Sequence, residues 1–313
     1  MDPKELLEML RSKLMDIAEI TKTDANRQTQ RRYAKAADRI LKAGGLATYH
    51  PTTKSSWYFA RAALKYYLYA HAALAYKNED YGKTEELMRR AEIELQVPPP
   101  ALRPTGRGSP KHRLQGLPMD WRAQILAVLP TAHRLPFAVQ ALSGARTAEL
   151  VMGVEVQLCE GGIEITIAGA KLHKQNGQPR RQVVIRNRSD DPAFTALLDA
   201  AQTTASEPLS VAITTHIETY RKAIRNAGLR LFGRGRGTSK YITPYMVRHQ
   251  FASDLKASGK EPVSVAEALG HRSSRTQELY GYKGLGQGRK GQDVEARASE
   301  PVRTYPKRTP NPQ

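Results

Sequence analysis

The chain has 313 residues, 40% of them hydrophobic, with 49 Lys and Arg against 30 Asp and Glu, a net charge of +19. That length allows two ordinary domains, each with its own core, and no run of about 18 apolar residues marks a membrane span. The single cysteine, Cys159, excludes an internal disulfide, and the opening MDPKELLEML lacks the basic start of a secretory signal, so a cytoplasmic setting is expected. A charge so one-sided draws polyanions, nucleic acid being the commonest, but says nothing about fold.

The first hundred residues read as all helix. One helix is predicted from Pro3 to Ile20, and a second follows the N-cap residues Thr23 and Asp24 and stops at Gly44–Gly45. On that second helix Arg27, Arg31, Lys35 and Arg39 recur every four residues, opposite a stripe holding Tyr33, Ala36, Ala37, Ile40 and Leu41. A row of cations with only Asp38 beside it is expected to meet phosphates rather than to serve as a solvated face. A third helix, from about Thr53 to Tyr76, carries Arg61 and Lys65 one turn apart among aromatic residues expected in the core. A fourth runs from about Lys83 to Leu95.

From Val97 the sequence VPPPALRPTGRGSPKHRLQGLPM contains six prolines and no acid, so it cannot be one regular element. It is read as a basic linker, with Arg107 and Lys111 among its DNA-facing cations. Four segments follow from this reading: a helical DNA-binding domain at 1–96, the linker at 97–116, a mixed α and β domain at 117–284, and a flexible tail at 285–313 whose Gly, Pro and charge content predicts disorder. In the mixed domain helices are expected near Met119–Leu129, Pro136–Leu150, Pro192–Ala201 and Val211–Ala227. IEITIAG (Ile163–Gly169) and RQVVI (Arg181–Ile185) read as two strands of a hairpin turning at Asn176–Gly177. No acidic residue lies between Glu218 and Asp254, a stretch containing eight Lys and Arg residues.

The usual catalytic alphabets are missing: no phosphate-binding GKS/T loop, no HExxH, no paired cysteines, no GxSxG. What stands out is LSGARTAEL (Leu142–Leu150), TPYMVRHQFAS (Thr243–Ser253) and LGHRSSRTQELY (Leu269–Tyr280). These three pieces, in this order, resemble the tyrosine recombinase (phage integrase) family over most of Leu117–Tyr282. The resemblance places the family's two catalytic arginines at Arg146 and Arg248, its histidine at His271, 23 residues after Arg248, and its nucleophile at Tyr280, nine further on. It implies a catalytic lysine in the hairpin turn, at Lys171, with Lys174 close behind as the alternative. At Tyr245 the chain departs from the family, which most often has histidine there. A phenol donates and accepts hydrogen bonds but, with an ordinary pKa of about 10, is a poor base at neutral pH.

Those residue types suit phosphodiester cleavage. Two arginines can hold nonbridging oxygens bidentately, in a geometry lysine cannot reproduce, while a tyrosine attacks phosphorus and stores the bond energy as a phosphotyrosine. No metal or cofactor is expected. The resemblance implies an all-helical core-binding domain joined to a mixed catalytic domain, together clamping double-stranded DNA, a homotetramer acting on two sites, and possible help from an accessory DNA-binding protein. The short stretch before the linker points to a recombinase of a transposon or other mobile element. Two other readings stay open: a type IB topoisomerase, and a non-catalytic DNA-binding relative.

Overall fold

The computed structural model describes residues 2–18, 24–101, 110–170, 172, 177–186, 188–204, 207–235, 238–239 and 242–305. Two compact units make up the chain, Met1–Arg107 and Gly108–Gln313.

In the first unit four helices, α1 (Pro3–Ala18), α2 (Asp24–Lys42), α3 (Lys54–Lys77) and α4 (Tyr81–Gln96), enclose one core. Leu6 and Leu10 of α1 meet Ala37 and Ile40 of α2, Trp57, Leu64 and Leu68 of α3, and Met88 and Ala91 of α4. Local chemistry sets the boundaries. Thr53 and Ser56 form a reciprocal capping box at the start of α3, and Asp80 Oδ1 accepts from Lys83 N–H at 3.0 Å to start α4. The turn after α2 is pinned by Glu94, whose carboxylate accepts from Leu46 N–H at 2.6 Å. Gly45 has φ +104°, and a Cβ there would lie 2.2 Å from Glu94 Oε1, so only glycine fits. Of the α3 aromatics, Trp57 and Tyr69 are core, whereas Tyr58 is half exposed.

The second unit begins earlier than the predicted boundary at 117. Residues Pro110–Leu114 form a 3₁₀ turn whose Leu114 is already part of the core. Helices α5 (Trp121–Val128) and α6 (Thr131–Ser143) follow. The single helix expected over Pro136–Leu150 is instead two, α6 and α7 (Thr147–Met152), because Gly144 takes the left-handed conformation and ends the first. Strands β1 (Val154–Cys159), β2 (Gly162–Ala168) and β3 (Arg180–Arg186) form an antiparallel meander, with Ile163 opposite Ile185 and Ile165 opposite Val183. β1 was not anticipated, although VEVQLC alternates as a strand facing a core should. After α8 (Pro192–Gln202), Leu209–Val211 forms β4 on the outer side of β1, so the helix predicted from Val211 starts only at Ile217, as α9 (Ile217–Phe232). A two-residue ladder, β5 (Arg234–Gly235) with β6 (Thr238–Ser239), precedes α10 (Pro244–Ala257) and α11 (Pro262–Ala268). From Met246 to Leu255 every residue of α10 is buried, making it the central rod of the unit.

The predicted flexible tail is corrected over much of its length. Residues Gly288–Gln292 form α12, and Val294–Ala298 form β7, which pairs antiparallel with β3 and completes the order β4-β1-β2-β3-β7. Composition hid a period-2 pattern: Val294 and Ala296 turn toward the core while Glu295 and Arg297 face outward, with Arg186 and Glu295 paired at 2.8 Å. The strand covers a row of β3 backbone groups that would otherwise form an open edge. Beyond it, Ser274 N–H donates to Arg303 O, and Arg303 N–H donates to Arg272 O. Residues 306–313 lie outside the described set.

Candidate active site

Four of the residues singled out from sequence converge where α10, the α6–α7 junction and the segment after α11 meet. Arg248, on the buried rod α10, is 1% exposed. Its Nη1 donates to Gly144 O at 2.6 Å, and its Nη2 donates to Leu269 O and lies 3.2 Å from His271 Nε2. Those carbonyls fix the guanidinium plane, and its Nε–H finds no partner among the described residues. Arg146 caps α7 beside it. Its own N–H donates to Glu149 Oε2 at 2.8 Å and its Nη1 to Oε1 at 2.5 Å, so one carboxylate holds both the backbone and the head of this arginine.

The same carboxylate binds a residue that sequence reading left without a role. Arg181, at the start of β3, is 1% exposed; it donates from Nη2 to Glu149 Oε2 at 2.8 Å and from Nε to Ala268 O at 3.0 Å. Its signal was present in RQVVI, where Arg181 shares the inward face with Val183 and Ile185, an uncommon place for a cation. Three guanidiniums thus surround one carboxylate, leaving a net excess of positive charge. Burial alone would raise the Glu149 pKa, but Arg181, then Arg248 and Arg146, pull it well below the usual carboxylate range. Burial, with Arg146 next, pushes Arg248 down to about 9, so it stays cationic at neutral pH.

His271 is neutral for the same reasons, its pKa lowered first by burial and then by Arg248, Arg146 and Arg181. Because Arg248 is donor-only, His271 Nε2 accepts and the proton sits on Nδ1, which is buried without a partner among the described residues. Arg248 Nε, Arg181 Nη1 and His271 Nδ1 are therefore buried donors in one cationic cluster. Such donors are costly unless an anion takes them up, and phosphate-like oxygens match them chemically.

Tyr280 lies against this cluster, 9% exposed, with Arg248 Cζ 5.0 Å from its ring centroid and the His271 ring also at 5.0 Å. It follows a 3₁₀ turn at Thr276–Leu279 in extended conformation, and its carbonyl accepts from Lys256 Nζ at 2.6 Å. Gly281 N–H donates to His249 Nδ1 at 3.1 Å. Gly281 has φ +57°, and a Cβ there would stand 2.6 Å from Ser253 N, so the chain passes α10 only with glycine next to the tyrosine. Burial raises the Tyr280 pKa, yet Arg248, then the neighbouring Tyr245 and Arg146, outweigh it and leave the phenol more acidic than usual. Tyr282 is turned away, its hydroxyl 3.1 Å from His112 Nε2.

Tyr245 stands at the mouth of the site, 45% exposed, its ring 5.6 Å from that of Tyr280 and 4.7 Å edge-on from His249. Lys171 and Lys174 lie outside the described residues, as does Arg107, and so do the side chains of Arg27 and Lys111. Arg31, Lys35 and Arg39 are exposed on α2, with Arg39 donating to Tyr49 Oη at 3.0 Å. Arg61 is partly committed to structure, donating to Leu95 O at the end of α4 at 2.8 Å, and Lys65 is half-buried nearby on α3. No group of three or more His, Cys, Asp or Glu among the described residues is arranged to hold a metal, and no described helix is long and apolar enough to cross a membrane.

Glu149→Gln should reveal how much this charge cluster rests on one carboxylate. It removes the negative partner that two guanidiniums share among the described residues, and breaking a buried ion pair typically costs about 3–5 kcal/mol. Urea denaturation should show a loss of that size, whereas unchanged stability would mean the arginines are held by the backbone alone.

No family model matches this chain, and no curated protein matches it. Among solved structures it is similar to the crystal structure of XerA recombinase, with a TM-score of 0.40 and 20% sequence identity over 88% of this chain and 93% of that one.

Proposed function

We propose that this chain is a metal-independent DNA strand transferase that works through a phosphotyrosyl bond at Tyr280, as a tyrosine recombinase does. One observation carries the reading: a buried tyrosine lies beneath a fixed arginine and beside a neutral histidine, within a cluster of guanidiniums whose remaining donors suit phosphate oxygens. In this scheme Arg146 and Arg248 clamp the two nonbridging oxygens of a DNA phosphodiester, and His271 Nδ1–H donates to one of them. Tyr280 loses its proton to solvent and its oxygen attacks phosphorus. The bond from phosphorus to the 5′ oxygen breaks as the 3′-phosphotyrosine forms, and Lys171, or its neighbour Lys174, protonates the departing oxygen. Attack by another 5′ hydroxyl reverses the step, with no net loss of bond energy.

Double-stranded DNA is the partner. Assembly as a homotetramer on two sites, aid from an accessory protein and a role in moving a mobile element rest on the motif resemblance. Plasmids carrying one or two candidate sites separate the three activities. A recombinase gives covalent adducts and products that need paired sites; a topoisomerase gives relaxation with single sites; a binder gives only shifted bands, and that last result would refute the proposal.

The exposed cations of α2 make a separate prediction. Arg31→Gln combined with Lys35→Gln keeps helix propensity while removing two charges. If both meet phosphates, the slope of log K against log salt should shrink by about 1.8, about 0.9 for each neutralised phosphate. Affinity should fall alike for any duplex sequence, because phosphate contacts position a protein without reading bases. An unchanged slope would make this row a solvated face.

A further inference from the structure

Tyr280 stands in extended chain after a 3₁₀ turn, so no regular element supplies partners for its backbone groups. Helix α10 supplies them from its side chains. Lys256 Nζ donates to Tyr280 O at 2.6 Å and to Gln277 O at 2.9 Å, and that second carbonyl also accepts from Tyr280 N–H at 3.0 Å. His249 Nδ1 accepts from Gly281 N–H at 3.1 Å, and Ser253 Oγ accepts from Tyr282 N–H at 3.0 Å. Further along, Gln250 Nε2 donates to Leu285 O and Asp254 Oδ1 accepts from Gln287 N–H, both at 2.8 Å. The two chains run close enough that a Cβ at Gly286 would stand 2.0 Å from Ser253 O. One helix thus grips the main chain of this segment on both sides of the tyrosine.

We infer that Lys256 is a positioning residue for the proposed reaction: its ammonium locks the peptide group that follows Tyr280 and so fixes where the phenol projects. This rests on Tyr280 being the nucleophile and adds the means by which it is aimed. Tyr280 C=O and Gly281 N–H belong to one planar peptide group. Lys256 holds its oxygen and His249 its N–H, so the plane cannot turn without breaking a bond to α10. An ammonium has three donors and serves two carbonyls at once, which ties Tyr280 O to the carbonyl that already receives Tyr280 N–H. The same buried rod carries Arg248, so the nucleophile's main chain and the guanidinium over its ring share one frame. In-line attack depends on such a frame, because a misplacement of about 1 Å can cost about 10²-fold in rate.

Lys256→Met keeps an unbranched apolar stem and removes the ammonium, whereas Lys256→Arg keeps cationic donors. Three quantities are read on the full chain: affinity for duplex DNA, the rate of adduct formation on nicked duplex with protein in saturating excess, and hydrogen exchange in the peptide containing Gln277–Tyr282. Lys256→Met should slow adduct formation by about 10-fold to 100-fold at unchanged affinity, the range expected when a reacting group is misplaced. Exchange in that peptide should become faster, and Lys256→Arg should recover most of both losses. An unaltered rate in Lys256→Met overturns the inference. So does a slowed rate with unchanged exchange, which would place Lys256 on the DNA instead. If melting curves show that Lys256→Met does not fold, Lys256→Gln, which keeps one neutral donor group, is held to the same outcomes. If the unaltered chain forms no adduct, the transferase reading fails, while exchange still decides whether Lys256 holds the segment.

Discussion

Tyr280→Phe is expected to abolish covalent attachment to DNA while leaving binding nearly unchanged. The phenyl ring keeps its contacts with His271, His249 and the Arg248 guanidinium, because only the oxygen is removed. The backbone is held independently, through Lys256 on the Tyr280 carbonyl and His249 on the Gly281 N–H, so the segment should not move. What disappears is the sole atom able to form the proposed bond to phosphorus. Tyr282→Phe supplies the contrast. Its hydroxyl is engaged with His112, and its loss should leave adduct formation intact. Adducts that survive in Tyr280→Phe and vanish in Tyr282→Phe would reassign the nucleophile. Gel shift on the same duplexes, run alongside, shows whether either change has touched binding.

The second large effect is expected at the arginine pair. Arg146→Ala should lower the cleavage rate by about 10³–10⁵, the usual contribution of an arginine that stabilises charge in phosphoryl transfer. The fold should tolerate the change, since Glu149 keeps its bond to Arg181 and the Arg146 side chain is 17% exposed. Arg146→Lys and Arg248→Lys retain a positive charge but lose the planar fork, so they should recover little. Arg248 carries a further cost, because its two backbone acceptors, Gly144 O and Leu269 O, would have to share one ammonium. Rapid-quench cleavage rates, with melting curves to confirm folding, would test both positions. Full activity in either lysine variant would contradict the clamp. Charge neutralisation by guanidiniums also means that a chelator should leave adduct yield unchanged.

Much of the candidate site is legible in the sequence because these side chains sit within short motifs. Arg146, Arg248, His271 and Tyr280 each stand in a recognisable local setting, and the fold then brings Arg248, His271 and Tyr280 into contact, with Arg146 held by Glu149 in the same charge cluster. The helical first unit was readable as well, since the 3.6-residue pattern is a local signal, whereas the caps at Thr53 and Asp80 emerge in the structure. Long-range pairings were not. Nothing near Arg181 announces that it shares Glu149 with Arg146, 32 residues away from that carboxylate along the chain. Lys256 and His249 act on the backbone at 280 and 281, a relation visible only once α10 is packed. The C-terminal segment misled for a different reason. Glycine and charge around VEARA outweighed a five-residue alternation whose stability comes from pairing with β3 rather than from its own composition. Gly144 likewise split one predicted helix in two, a left-handed cap that places Arg146 at a helix start instead of on a helix face.

The proposed activity depends on a covalent bond between Tyr280 and a DNA 3′ phosphate. The most direct measurement is mass spectrometry of the chain captured on DNA by rapid denaturation from cells expressing it, after exhaustive nuclease digestion. A single peptide spanning Tyr280 and carrying a phosphate-linked nucleotide remnant on that tyrosine is the predicted result. A remnant on any other residue, or the absence of covalently held DNA from cells in which the protein binds DNA, would contradict it.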